Sequence, residues 1–126
     1  MAVSQAYFDY VLEQLAGLEG LASRRMFGGY GVYCDGVFFA LISGDILYFK
    51  VGAANRPDYA KRGMRQFRPF ADRPQVSADY YELPAEVLED PEECIAWARR
   101  SVAVAASAAL RAKPPRKTKP RRTAKR

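Results

Sequence analysis

The residues best suited to binding chemistry stand at the C-terminal end of the chain. Arg111, Lys113, Arg116, Lys117, Lys119, Arg121, Arg122, Lys125 and Arg126 put nine positive charges into sixteen residues that hold no acid. Cations at that density neutralise phosphates and release condensed counterions, which gives affinity for nucleic acid without base readout. The stretch 113–126 has no hydrophobic residue larger than alanine, so nothing offsets its ordering entropy. It is expected as a disordered tail, kept extended by its prolines and reaching on the order of 20 Å. The competing reading is a solubilising segment or a generic polyanion binder.

A second cationic group is Arg62, Arg65, Arg68 and Arg73, interleaved with Phe67 and Phe70. Basic residues among aromatics can grip phosphates and stack bases, so the four arginines form a candidate partner or phosphate patch. The plainer alternative puts both phenylalanines in the core and leaves the arginines solvated or paired with acids.

Other groups argue against catalysis. Histidine is absent, which removes the usual Ser-His-Asp and Cys-His nucleophile systems and imidazole metal sites. Cys34 and Cys94 lie 60 positions apart, with no CxxC or Cys/His spacing for zinc. Each reads as a small buried hydrophobe rather than a reactive thiol. Gly28-Gly29-Tyr30-Gly31 does not fit a phosphate loop, because it precedes a strand and hairpin instead of opening a helix. A β-bulge or a close approach of backbone to a packed helix suits those glycines better. Glu82, Glu86, Glu89, Asp90, Glu92 and Glu93 read as a solvated acidic face with helix capping. No enzymatic activity, metal or cofactor is expected.

The length of 126 residues suits one domain, and 49% hydrophobic content agrees with a packed core. The formal charge of +6 hides an asymmetry. With nine of the 20 basic residues in 111–126, residues 1–110 keep 11 basic against all 14 acidic residues, a net −3. The expected organisation is therefore a folded domain over 1–110 and a tail over 111–126. The free cysteines suggest a reducing interior, and the N-terminus lacks the basic start of a secretory signal. No apolar run is long enough to span a membrane, so a cytoplasmic protein is expected.

The elements that must position these residues follow from periodicity. Residues 4–16 predict a helix with Ser4 as N-cap, an apolar stripe through Tyr7, Phe8, Val11, Leu12 and Leu15, and Gly17 as a left-handed stop. Residues 25–34 predict a strand loosened by glycines. Asp35-Gly36 predicts a tight hairpin to a strand over 37–43, and Gly44-Asp45 a turn to a third over 46–51. Asn55-Arg56-Pro57-Asp58 opens a short helix that Gly63 should end. Residues 65–72 suggest a strand plus a turn, 77–83 a tyrosine-rich strand, and 84–88 a helical turn. Asp90-Pro91-Glu92-Glu93 is the strongest helix start, with Ile95, Ala98, Val102 and Ala105 facing inward and Pro114-Pro115 as the terminator. The order αβββαββα, with helices on one face of an antiparallel sheet, is a two-layer α+β domain.

Several stretches resemble one family. Arg25-Met26-Phe27-Gly28-Gly29-Tyr30-Gly31-Val32-Tyr33, Asp35-Gly36-Val37-Phe38-Phe39-Ala40-Leu41 and Ile46-Leu47-Tyr48-Phe49-Lys50-Val51 look like the N-terminal domain of the TfoX/Sxy proteins. Tyr80-Tyr81-Glu82-Leu83-Pro84, Asp90-Pro91-Glu92-Glu93 and Trp97-Ala98 continue the likeness, which covers about residues 4–108. It implies a compact α+β domain in a bacterial cytoplasmic protein and supplies no catalytic residues. Members are associated with natural competence, as transcriptional co-activators working with a cyclic-AMP receptor-type regulator. Full-length TfoX proteins carry a second, helical domain, and here the basic tail is expected in its place.

The leading expectation is a non-enzymatic regulatory protein. Its body docks a transcription factor or polymerase component, and its tail holds nucleic acid non-specifically. Two other readings compete: a small-molecule or enzymatic pocket lined by Tyr30, Tyr48, Tyr80 and arginines, and a structural homodimer formed through a sheet face or edge.

Overall fold

The computed structural model describes residues 3–26, 28–68 and 79–112, the last four by their backbone alone. Its elements are α1 (Gln5–Gln14), β1 (Leu21–Met26), β2 (Gly29–Cys34), β3 (Val37–Ser43), β4 (Ile46–Lys50), α2 (Arg56–Ala60), β5 (Tyr80–Glu82), α3 (Ala85–Leu88) and α4 (Pro91–Ala112). The five strands form one antiparallel sheet in chain order, β1-β2-β3-β4-β5. The α+β class stands, with helices layered on one sheet face, but the order of elements is αββββαβαα.

The difference begins at the glycines. The strand expected over 25–34 is two strands. Gly28 has φ +78°, a conformation costly for a residue with a Cβ, and the chain reverses there so that Met26 pairs with Gly29. The irregularity expected among the glycines lies further on, between Val32 and Tyr33, where β3 carries Phe39 as an extra residue. The hairpins at Asp35-Gly36 and Gly44-Asp45 form as expected, with all four residues at positive φ, the geometry that matches strand twist. Beyond α2 the expected strand over 65–72 reduces, among the described residues, to a bridge from Gln66 to Tyr81 beside β5. The rest of that segment and the start of the 77–83 strand lie outside the described residues.

Caps account for the helix starts. The Ser4 hydroxyl accepts from Tyr7 N at 3.2 Å, and the Asp90 carboxylate accepts from Glu92 N at 3.1 Å and Glu93 N at 3.3 Å. Asn55 instead works within its own loop. Its side chain accepts from Gly52 N at 2.7 Å and donates to Lys50 O at 3.1 Å. After α1 the left-handed residue is Gly20 and not Gly17, because Leu15 and Leu18 turn inward first and both are buried.

The core lies between the helices and the sheet face made by Val32, Ala40, Ile42, Leu47 and Phe49, all at most 2% exposed. Burying each large side chain contributes about 1.5–3 kcal/mol. Val11 of α1 and Leu15 at its C-cap join this core, and the ring of Phe8 stacks on Tyr30 at 4.2 Å. The inward stripe of α4 is Cys94, Trp97, Ala98, Ser101 and Ala105. The expected stripe had Ile95 and Val102 where Cys94, Trp97 and Ser101 turn inward. The indole claims the deeper side because its area is larger, and Ile95 and Val102 are only partly covered. Helix α4 runs through Ala112, so Arg111, grouped with the tail on composition, stands on its last turn.

Candidate functional site

Among the described residues, the second face of the sheet carries no helix. Side chains alternate along a strand, so the partners of the buried set point the other way. Tyr33 and Phe38 are paired across β2 and β3, Leu41 opposes Tyr48, and Lys50 opposes Tyr80. Their rings meet in two groups: Tyr33 to Phe38 at 5.2 Å and Phe38 to Tyr80 at 5.6 Å in one, and Tyr48 to Phe67 at 4.9 Å in the other. The Lys50 ammonium sits 5.2 Å from the Tyr80 ring centroid. Tyr33, Phe38, Tyr48 and Phe67 are half-buried, whereas Tyr80 is 8% exposed and supports the others from beneath. Burial pushes the Tyr80 phenol up to about 12.

Gly31 sits in the middle of this face because nothing larger fits. A Cβ there would stand 2.6 Å from Met26 Cε and 2.8 Å from Phe38 Cε1. Arg24, exposed on β1, is the register partner of Gly31 and shares its face. At the opposite edge Arg65 and Arg68 line a groove of about 440 Å³ with Ile46, Tyr48, Gln66 and Glu82. The described charges of the open face are thus Arg24, Lys50, Arg65 and Arg68 against Glu82, with Asp79 at the rim.

The candidate arginine patch is divided. Arg62 belongs to the helical side, with its guanidinium 5.1 Å from the Trp97 ring and its Nε 3.5 Å from Glu86 Oε2. Arg100 flanks the same indole at 5.8 Å and approaches Asp58 Oδ2 at 3.9 Å. The Trp97 Nε1–H donates to Glu93 Oε1 at 3.3 Å. Arg62 therefore packs a corner, and of the three described arginines Arg65 and Arg68 border the open face. Arg73 lies outside the described residues, as do Lys113, Arg116, Lys117, Lys119, Arg121, Arg122, Lys125 and Arg126.

The tyrosines suggested for a small-molecule pocket do not converge. Tyr30 faces the helices, and Tyr48 and Tyr80 face the other way. Both thiols are buried: Cys34 Sγ donates to Glu19 O at 3.1 Å, and burial pushes the Cys94 thiol up to about 12. A raised thiol is a poor nucleophile. Among the described residues no group of His, Cys, Asp or Glu could hold a metal ion, and no helix is long and apolar enough to cross a membrane.

Sequence reasoning passed over Arg24, Tyr33, Phe38 and Lys50, and offered Tyr48 only as the lining of a pocket. A signal was present. Strands β2 to β4 are apolar at consecutive positions, as in Val37-Phe38-Phe39-Ala40-Leu41, which marks a sheet with aromatic or aliphatic cover on both faces.

Among the described residues these features define an α+β fold with one helix-covered sheet face and one open aromatic face. Residues 13–105 of the 126 match the model of the TfoX N-terminal domain. The match spans well over half of the sequence, and the chain belongs to the TfoX N-terminal domain family. No curated protein matches it at a significant level.

Proposed function

We propose that the protein is a non-enzymatic regulatory module whose basic C-terminal segment contacts nucleic acid non-specifically while its folded body docks a transcription protein. One observation carries this reading: nine positive charges fall in residues 111–126, and residues 1–110 are net −3. A body of that sign has no general attraction for phosphate, so the terminal segment supplies the long-range pull. Family membership supports the regulatory half, with a competence-related co-regulator as the specific role, and both sulfhydryls being buried and raised agrees with a body that does no thiol chemistry.

The test is affinity for DNA and RNA across a salt series. With about five charges meeting phosphates, log affinity of the intact chain should fall against log salt with a slope of about −4. A full-length variant with all basic residues of 113–126 changed to glutamine should lose most of that slope. A salt-insensitive affinity, or equal binding by the variant, overturns the nucleic-acid half. For the docking half, the immobilised chain should retain RNA polymerase or a cyclic-AMP receptor-type regulator, and retention of neither counts against it.

A further inference from the structure

The proposed function assigns nothing to the open face of the sheet, yet its composition is unusual for a surface layered only with solvent. Tyr33, Phe38, Tyr48 and Phe67 are each partly exposed, and they extend from β2 past β5 to the residue-67 segment. That is four strand spacings, about 19 Å. Buried Tyr80 and its Lys50 partner hold the middle of the row. Rings braced in this way present flat π surfaces at low entropic cost.

Charge identifies the class of ligand. The body is net −3, but among the described residues its open face sets Arg24, Lys50, Arg65 and Arg68 against Glu82 and rim Asp79. Acids concentrate on the helical side, at Asp9, Glu13, Asp58, Glu86, Glu89, Glu92 and Glu93. Cations bordering accessible rings on an antiparallel sheet suit a strand whose bases are unstacked and whose phosphates lie alongside. A duplex offers no free base faces, and a curved helix edge meets a sheet poorly.

We propose that the open sheet face, through Tyr33 and Tyr48 with Phe38 and Phe67 beside them, stacks the bases of single-stranded nucleic acid. Arg24, Lys50 and Arg65 lie along its phosphates. This inference rests on the nucleic-acid reading above and deepens it: the terminal segment supplies attraction to any polyanion, and the sheet face discriminates strand from duplex. The surface would hold two or three bases, enough for preference and too few for a long sequence code.

The experiment compares an oligothymidylate of about 12 nucleotides with a duplex of the same length. Binding is measured at one salt concentration with the intact chain and full-length Tyr33→Ala, Tyr48→Ala, Tyr48→Phe and tail-neutralised variants. The intact chain should prefer the strand. Each alanine variant should lose about five- to 100-fold in strand affinity with duplex affinity unchanged, and Tyr48→Phe should keep the preference. Neutralising the tail should weaken both ligands and leave the preference in place. That separates failure of this inference from failure of the tail reading. In the unmodified protein, adding the oligothymidylate should shift the Tyr33 and Tyr48 ring resonances and leave the Trp97 indole unmoved, a readout that needs no variant to fold. Equal affinity for strand and duplex overturns the inference, and so do resonance shifts confined to the C-terminal segment. Alanine variants that dissolve a dimer without altering strand affinity would assign the face to a second copy and overturn it as well.

Discussion

Two guanidinium groups, from Arg62 and Arg100, flank the Trp97 indole, and Tyr59 meets its edge at 5.0 Å. Trp97 itself is 4% exposed. Truncating it would open a cavity where α2, α3 and α4 meet, so Trp97→Ala should cost about 3–5 kcal/mol in a denaturant titration. Arg62 has little such leverage. Its ion pair with Glu86 is solvent-exposed on both sides, at 37% and 70%, and exposed pairs contribute about 0–1 kcal/mol. Arg62→Gln should therefore change stability by no more than about 1 kcal/mol and leave nucleic-acid affinity untouched. A drop in affinity comparable with that from Arg65→Gln would contradict the division of the arginine patch. Sequence placed the four arginines together because they are near neighbours along the chain. A helix end and a bridge to β5 intervene, and they send Arg62 to one side of the molecule and Arg65 to the other.

At the scale of elements, the β1–β2 hairpin is the main departure from what periodicity suggests. Leu21–Met26 alternates poorly, with exposed Ala22, Arg24 and Arg25, because it is an edge strand covered on one side only. The glycines that weaken the 25–34 run as one strand are what allow it to become two. Gly31 is the sharper test of this geometry. Gly31→Val would drive side-chain atoms into Met26 and Phe38, and overpacking of this kind costs about 1–3 kcal/mol. Thermal melts should show the loss, and a melt unchanged from the parent would mean the two strands do not approach as described. Helix α4 was far more legible. Aspartate, proline and two glutamates in order specify a cap, a fixed φ and a favourable dipole contact, all of them local effects. Its inward stripe was less so, since rotation about the helix axis depends on which side chain the sheet can accommodate.

At the scale of the whole molecule, the absence of histidine and the burial of several weak acids make a pH profile predictable. Burial pushes the Cys94 thiol from its ordinary 9.0 up to about 12, and the Tyr80 and Tyr7 phenols from 10.0 up to about 12. The unfolded chain releases these protons first, so it gains on the native state as pH rises. The contribution is fully present below pH 9 and is lost between about 9 and 12. Stability should be nearly flat from about pH 6 to 7.5, where no side chain of this composition ordinarily titrates. Urea midpoints across pH check this, and Cys94→Ala should make the decline between about 9 and 10 shallower, with raised Cys34 keeping part of it. A steep change near pH 6.5 would refute the account. Charge is also segregated at this scale, with a basic C-terminal segment, an acidic helical side and a cationic open face. A profile of salt dependence on duplex DNA therefore reports the first of these, and strand preference the last.

The nine cations of residues 111–126 were evident from composition, as were the class of fold, the two tight hairpins and the start of α4. Each depends on charge density or on interactions within a few residues, which a linear chain displays directly. The aromatic face was not evident. Tyr33, Phe38, Tyr48 and Phe67 are scattered over 35 positions and become neighbours only through strand register. Which side of a strand meets the helices follows from the close packing of the opposite face, and a shift of one residue would exchange the two. The cationic segment that composition brings forward first thus explains attraction to phosphate, and the packed sheet supplies the surface that can tell one kind of nucleic acid from another.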